Sequence, residues 1–223
     1  MTEAIVGAVT AGQSPRDDVL PEMAELLPRG TRFVERGALD GVSASELGRL
    51  APVAGETVVV TRLRDGREVA LAEARLLPLL QRAVDEVAEL GATVVAPLCT
   101  GSLPGLRSPR PLVFPGPVVR HLVLALAKDC RLGVIVPAAD QVAGAESDWA
   151  AVTGTRRVLA ASPYGPGQPL ARAAAELVDW HPDLVVLDCL GFGRSAQRVI
   201  RETGGVPAIL PRIALAGAIA AML

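Results

Sequence analysis

Short runs of β-branched and leucine residues recur along this chain, and helical periodicity separates each from the next. Ala4 to Val9, Thr31 to Glu35, Thr93 to Leu98, Leu132 to Val136, Arg156 to Ala160, Leu184 to Asp188 and Pro207 to Leu210 read as strands. Strands that alternate with helices predict parallel sheets covered by helices, an α/β fold. Parallel strands are buried on both faces, which suits continuous apolar runs. With 50% of residues hydrophobic and only 3% aromatic, the core must be built of Ala, Val and Leu.

The helical signals are equally local. Ser14-Pro15-Arg16-Asp17 predicts a helix start with Ser14 as N-cap, and Val19, Met23, Leu26 and Leu27 give that helix an apolar face. Ser43-Ala44-Ser45-Glu46 is a capping-box pattern. Asp65-Gly66, between Thr57–Leu63 and Arg67–Leu71, predicts an antiparallel hairpin. Leu76, Leu80, Val84 and Val87 mark a long helix that Gly91 ends. The Pro- and Gly-rich stretch Leu103–Pro117 reads as a loop. Helices are expected at Val118–Lys128, Gln141–Val152 and Pro169–Trp180, with Ser162–Gly167 a loop. Ser195 is the expected cap of a further helix, and a small-residue helix closes the chain.

A net charge of −2 lacks the basic excess of a nucleic-acid partner. No run of about twenty uncharged apolar residues predicts a membrane span. The start Met1-Thr2-Glu3-Ala4 has no basic n-region, so a soluble cytoplasmic protein is expected. Three cysteines, Cys99, Cys130 and Cys189, make no disulfide framework. Two distant histidines and no Cys-x-x-Cys pattern predict no metal site.

Two strands look like copies. Val94-Val95-Ala96-Pro97-Leu98-Cys99-Thr100-Gly101 matches Leu184-Val185-Val186-Leu187-Asp188-Cys189-Leu190-Gly191, each a strand ending in Cys-x-Gly. More faintly, Ile5–Thr10 matches Leu132–Pro137 when aligned from their first residues. The chain therefore reads as two similar Rossmann-like lobes with mainly parallel sheets. One is expected over residues 1–116 plus 207–223 and the other over 117–206. Ligands of open parallel sheets bind beyond the carboxyl ends of the strands. If a pseudo-two-fold axis relates the lobes, Cys99 and Cys189 approach one cleft from opposite sides. Opposed thiols suit a proton transfer that inverts a carbon: one thiolate removes the α-proton and the other thiol returns a proton to the far face. Cys130 precedes a strand without polar company and reads as a core residue.

Thr10, Gln13, Ser14 and Arg16 form a candidate carboxylate site, with backbone N–H groups, a hydroxyl and a guanidinium. A capped turn alone also explains Ser14 and Pro15. Thr100, Gly101 and Ser102 suit an oxyanion site or an ordinary loop. Asp188 either orients a neighbouring group or bonds a loop backbone.

The segments Gly7–Asp17, Gly133–Pro137 and Leu187–Phe192 resemble the AroM family. That family is similar to the aspartate/glutamate racemase superfamily of cofactor-independent racemases, maleate isomerases and arylmalonate decarboxylases. The resemblance implies two α/β lobes with a cysteine from each at the interface, here Cys99 and Cys189, and no cofactor. Superfamily racemases usually carry Cys-Asn-Thr where this chain has Cys99-Thr100-Gly101. They often carry Gly-Cys-Thr where it has Asp188-Cys189-Leu190. The expected function is therefore a cofactor-independent racemase or isomerase of a small carboxylic or amino acid. A decarboxylase or cis–trans isomerase using one cysteine, and a non-catalytic small-molecule-binding protein, stay open. A homodimer is one option for assembly.

Overall fold

A computed structural model describes residues 4–126, 129–152, 155–165 and 167–223. The first three residues, the last two of the helix expected at Val118–Lys128, and Pro166 of the expected loop lie outside the described residues. The chain forms two compact units: Met1–Pro115 with Leu215–Leu223, and Gly116–Ala214.

In the first unit, β1 (Ile5–Thr10) is the central strand, flanked by β2 (Arg32–Gly37) and β5 (Val94–Pro97), all parallel. A short α1 (Leu20–Ala24) and α2 (Ala44–Arg49) lie in the connections. The antiparallel hairpin of β3 (Val58–Arg62) and β4 (Glu68–Ala72) turns at Asp65-Gly66, as the dipeptide predicts, with Gly66 at φ +92. It leads directly into α3 (Glu73–Glu89), which buries Leu76, Leu80, Val84 and Val87. Gly91, at φ +90, follows the helix as expected.

In the second unit, β6 (Leu132–Val136) is central in the parallel order β7-β6-β8-β9, with β7 at Arg156–Ala160, β8 at Leu184–Leu187 and β9 at Ala208–Ile209. Helices α4 (Pro115–Leu126), α5 (Val142–Ala150, entered through a 3-10 turn at Ala139–Gln141), α6 (Gln168–Asp179), α7 (Arg194–Gly204) and α8 (Pro211–Ala220) complete the element order. The fold is α/β with mainly parallel sheets, as the alternation predicts.

The two units repeat one hydrogen-bonded frame. Leu98 N–H donates to Val9 O (2.7 Å), and Asp188 N–H to Ile135 O (2.8 Å). Thr93 N–H donates to Ile5 O, and Asp183 N–H to Arg131 O. Ala38 N–H donates to Thr10 O, and Ala161 N–H to Val136 O. In the first unit an isolated parallel bridge, Val95 to Leu112, stands where β9 stands in the second. This register aligns Gly7 with Gly133, one residue away from the alignment expected from sequence. A Cβ on Gly7 would come within 2.8 Å of Val87 on α3, and one on Gly133 within 3.1 Å of Leu177 on α6. Both glycines let a helix lie close on the central strand, and that packing fixes the repeat's register.

Several helix boundaries differ from expectation. No helix starts at Ser14: α1 begins at Leu20 with Val19 as N-cap, and the Ser14–Pro15 peptide is cis. The Ser14 side chain bonds Asp40 instead of capping a helix. Leu26 is exposed, whereas Val19, Met23 and Leu27 are buried. Ser195 lies inside α7, whose N-cap is Gly193 without a side-chain bond. α4 starts at Pro115, inside the segment expected to be a loop, because proline suits a first helical turn. The capping box at Ser43 and Glu46 is present with both its bonds.

Candidate active site

In the first unit the sheet edge at the carboxyl ends of β1 and β5 carries the expected residues. These strands pair in register, Val9 opposite Pro97, so Thr10 and Cys99 leave neighbouring strands at the same edge. Thr10 is 1% exposed. Its hydroxyl oxygen accepts from Gly12 N–H (3.3 Å) and from Arg16 Nη1 (3.0 Å). Arg16, 3% exposed, also donates Nε and Nη2 to the two oxygens of Asp18, both at 2.8 Å. Its backbone N–H donates to Glu35 Oε2 (2.7 Å). Burial alone would raise the Asp18 carboxyl. The Arg16 hydrogen bonds and charge, joined by the Arg62 charge, hold it below the ordinary carboxylate range.

Gln13 and Ser14 belong to a second cluster. Asp40 accepts from the Ser14 backbone N–H (3.0 Å), the Ser14 hydroxyl (2.6 Å) and Gly37 N–H (2.7 Å). Gln13 Nε2 donates to Leu39 O (3.4 Å), and its Oε1 accepts from Arg64 N–H (2.9 Å). Arg64 Nε donates to Ser14 O (2.7 Å). A cavity of about 410 Å³ lies against this cluster, lined by Gln13 and Arg64 with Leu39, Val42, Leu47 and Leu63.

Cys99 is partly buried and packs against the apolar cluster of α3, β1 and β5. Thr100 and Gly101 are partly buried, and Ser102 is exposed. A Cβ at Gly101 would lie 3.4 Å from Cys99 Sγ, so the glycine sits directly beside the sulfur. Leu103 anchors the turn: it is 1% exposed and holds φ +41, a strained conformation for leucine.

In the second unit, Cys189 follows β8 at the position corresponding to Cys99. It is 9% exposed and belongs to the apolar cluster with Ile135, Leu187, Phe192 and Ile200. Its Sγ accepts the N–H of Gly191 at 3.4 Å. Asp188, beside it, accepts from Nε1 of the buried Trp149 (2.9 Å). Where the second unit has Asp188, the first has the buried Leu98. Arg212, 1% exposed, donates Nε (2.9 Å) and Nη2 (2.5 Å) to Leu190 O. Cys130 is a core residue, and burial, with Asp183 nearby, pushes its thiol above the usual value. No group of three or more His, Cys, Asp or Glu placed to hold a metal ion occurs among the described residues. Among those residues, no helix is long and apolar enough to cross a membrane.

Asp18, Asp40, Arg64, Trp149 and Arg212 were not apparent from the sequence. Only Arg212 carried a signal: it is a lone charge in the apolar run Ala208–Ala216.

A match to the AroM family, described as AroM protein, spans residues 6–223. The chain belongs to the AroM family. No curated protein matches the sequence. Among solved structures, allantoin racemase from Klebsiella pneumoniae is similar at a TM-score of 0.69 and 13% identity, over 98% of this chain and 87% of that one. Glutamate racemase from Francisella tularensis, solved with D-glutamate, is similar at 0.63 and 13% identity, over 99% and 81%. The maleate isomerase Iso from Pseudomonas putida S16 is similar at 0.61 and 14% identity, over 98% and 92%. This AroM protein therefore has a racemase-like fold.

Proposed function

We propose that this AroM family member is a cofactor-independent racemase or isomerase of a small carboxylic or amino acid, with Cys99 and Cys189 as its acid/base pair. One observation carries the reading. Each cysteine follows the corresponding strand of a repeated frame, two residues beyond the strand position paired with Val9 or Ile135. The carboxyl ends of parallel strands are where such sheets bind ligands. The racemases and the isomerase that share the fold support the same class of chemistry.

In this reading one thiolate takes the α-proton, the electron pair moves into the adjacent carboxylate or carbonyl, and the other thiol donates a proton to the opposite face. Gly191 N–H bonded to Cys189 supports the anionic form of an otherwise buried sulfur. Thr100, Gly101 and Ser102 carry the oxyanion. Thr10, Gln13, Ser14 and Arg16 shape the carboxylate site, with Asp18 and Asp40 holding Arg16 and Ser14 in place. A soluble cytoplasmic enzyme, acting alone or as a homodimer, fits this chemistry.

The test is solvent-deuterium incorporation at the α-carbon, followed by NMR across a panel of chiral carboxylic and amino acids, D- and L-glutamate among them. A substrate is expected to exchange as both enantiomers with wild type, and Cys99→Ala and Cys189→Ala are each expected to stop exchange of one enantiomer. Exchange that both variants leave unchanged would overturn the reading. The difference in burial between the two thiols favours a second reading, a decarboxylase or cis–trans isomerase that needs one cysteine. Full turnover by Cys99→Ser beside a dead Cys189→Ser would select it.

A further inference from the structure

The turn after Cys189 is bonded by a buried arginine of α8 to which neither the family nor the fold assigns a role. Arg212 sits at the start of α8, and both of its described side-chain bonds end on the carbonyl oxygen of Leu190. That carbonyl and the N–H of Gly191 belong to one peptide unit. A trans peptide is planar, so its C=O and N–H point in opposite directions. At one end of the unit is the Arg212 guanidinium. At the other is Cys189 Sγ, 3.4 Å from Gly191 N. The series runs from a buried cation through one polarised peptide to a sulfur. Bonds linked in this way strengthen one another where the local dielectric is low.

The turn is held from a second side. A Cβ on Gly191 would come within 2.7 Å of Pro163 and of Tyr164, so those residues already fill the space against the peptide. By the match of Pro115 with Pro211 at the helix starts, the position on α4 that corresponds to Arg212 is Gly116. That position has no side chain, so the guanidinium of α8 has no counterpart there.

We propose that Arg212 is a positioning residue that fixes the Leu190–Gly191 peptide so that its N–H stabilises the Cys189 thiolate. The inference rests on the reading above in taking Cys189 as a reacting thiol. Among the described residues, Asp188 and Tyr164 are titratable groups next to this turn. Asp188 is held by Trp149, and Tyr164 lies against Gly191. The charged residues of the flanking helices, Arg172, Glu176 and Asp179 on α6 and Arg194, Arg198, Arg201 and Glu202 on α7, are exposed. Their effect is screened by solvent.

The experiment needs no substrate. The rate of Cys189 alkylation by iodoacetamide is followed against pH by peptide mass spectrometry in the full-length chain, with Cys99 as internal control. Arg212→Gln is expected to move the Cys189 midpoint up by about one pH unit, a roughly tenfold loss of rate below the midpoint. Arg212→Lys is expected to recover part of that shift, and the Cys99 midpoint to stay put. Reactive Cys189 with an unchanged midpoint in Arg212→Gln overturns this inference and leaves the proposed function standing. A wild-type Cys189 inert at every pH overturns both. If the variants do not fold, the wild-type chain supplies the test. Alkylating Cys189 should shift the Arg212 Nε–H resonance, whereas alkylating Cys99 should not. An Arg212 resonance indifferent to Cys189 overturns the inference.

Discussion

Beyond β5, the first unit leaves its sheet as Cys99-Thr100-Gly101-Ser102 and runs without helix to the bridge at Leu112. Beyond β8, the second unit turns through Cys189-Leu190-Gly191-Phe192 into α7 and only then reaches β9. The strands before these turns share register and peripheral hydrogen bonds, and each pairs with a central strand that has a glycine under the packed helix. The difference lies in the company of each cysteine. Cys99 has small polar neighbours and partial exposure. Cys189 has a buried cluster, an N–H on its sulfur and a buried arginine behind that N–H. A repeated frame thus fixes where a thiol stands, and the turn that follows sets its environment.

The largest contrast concerns buried charge. The crossover after β1 carries the Arg16–Asp18 pair, whereas the positions that match them in the register after β6 are Val142 and Gly144. Asp18→Ala leaves a buried guanidinium without its carboxylate and is expected to cost about 3 kcal/mol in chemical denaturation. Wild-type midpoint and slope would erase this contrast. The Asp18 carboxyl lies below its unfolded value, so the stability it supplies is present above about pH 4 and is lost as pH falls through the folded value. Asp18→Asn should therefore flatten the acid limb of the stability curve.

The shared glycines sharpen the comparison next. Gly7→Ala meets Val87 at 2.8 Å and Gly133→Ala meets Leu177 at 3.1 Å. About 2 kcal/mol is expected for Gly7 and about 1 kcal/mol for Gly133, where a leucine tip can give way. The reverse order in thermal unfolding would mean that α6 presses more closely on Gly133 than α3 does on Gly7. Trp149→Phe removes the indole donor to Asp188, a bond without counterpart at Leu98, and is expected to cost about 1.5 kcal/mol. The smallest effect separates the helix starts. Ser43→Ala removes a capping bond and should cost about 1 kcal/mol. Gly193→Ala, where no side chain caps α7, should cost less.

The central strands were legible because their apolar runs are short, β-branched and bounded by turn residues. β6 and β7 match their expected ranges residue for residue. Leu76, Leu80, Val84 and Val87 carry a period that only a helix satisfies. The cysteines were legible because Cys-x-Gly recurs at matching strand ends. The Ser14-Pro15 segment misled because its helix-start chemistry is local, while Asp40, 26 residues away, supplies a stronger partner for Ser14. The alignment of β1 with β6 slipped by one residue because apolar strands are nearly featureless. Only Gly7 and Gly133, read against the helices that press on them, fix the register. Arg212 depends on a carbonyl 22 residues away, and no local pattern announces such a contact.

The most direct measurement follows each enantiomer of an exchanging substrate separately in deuterated solvent with Cys99→Ala and Cys189→Ala. If each thiol serves one face of the carbon, each variant loses proton wash-out from a different enantiomer, and neither interconverts the two. Wild-type interconversion by either variant would contradict the paired-thiol account.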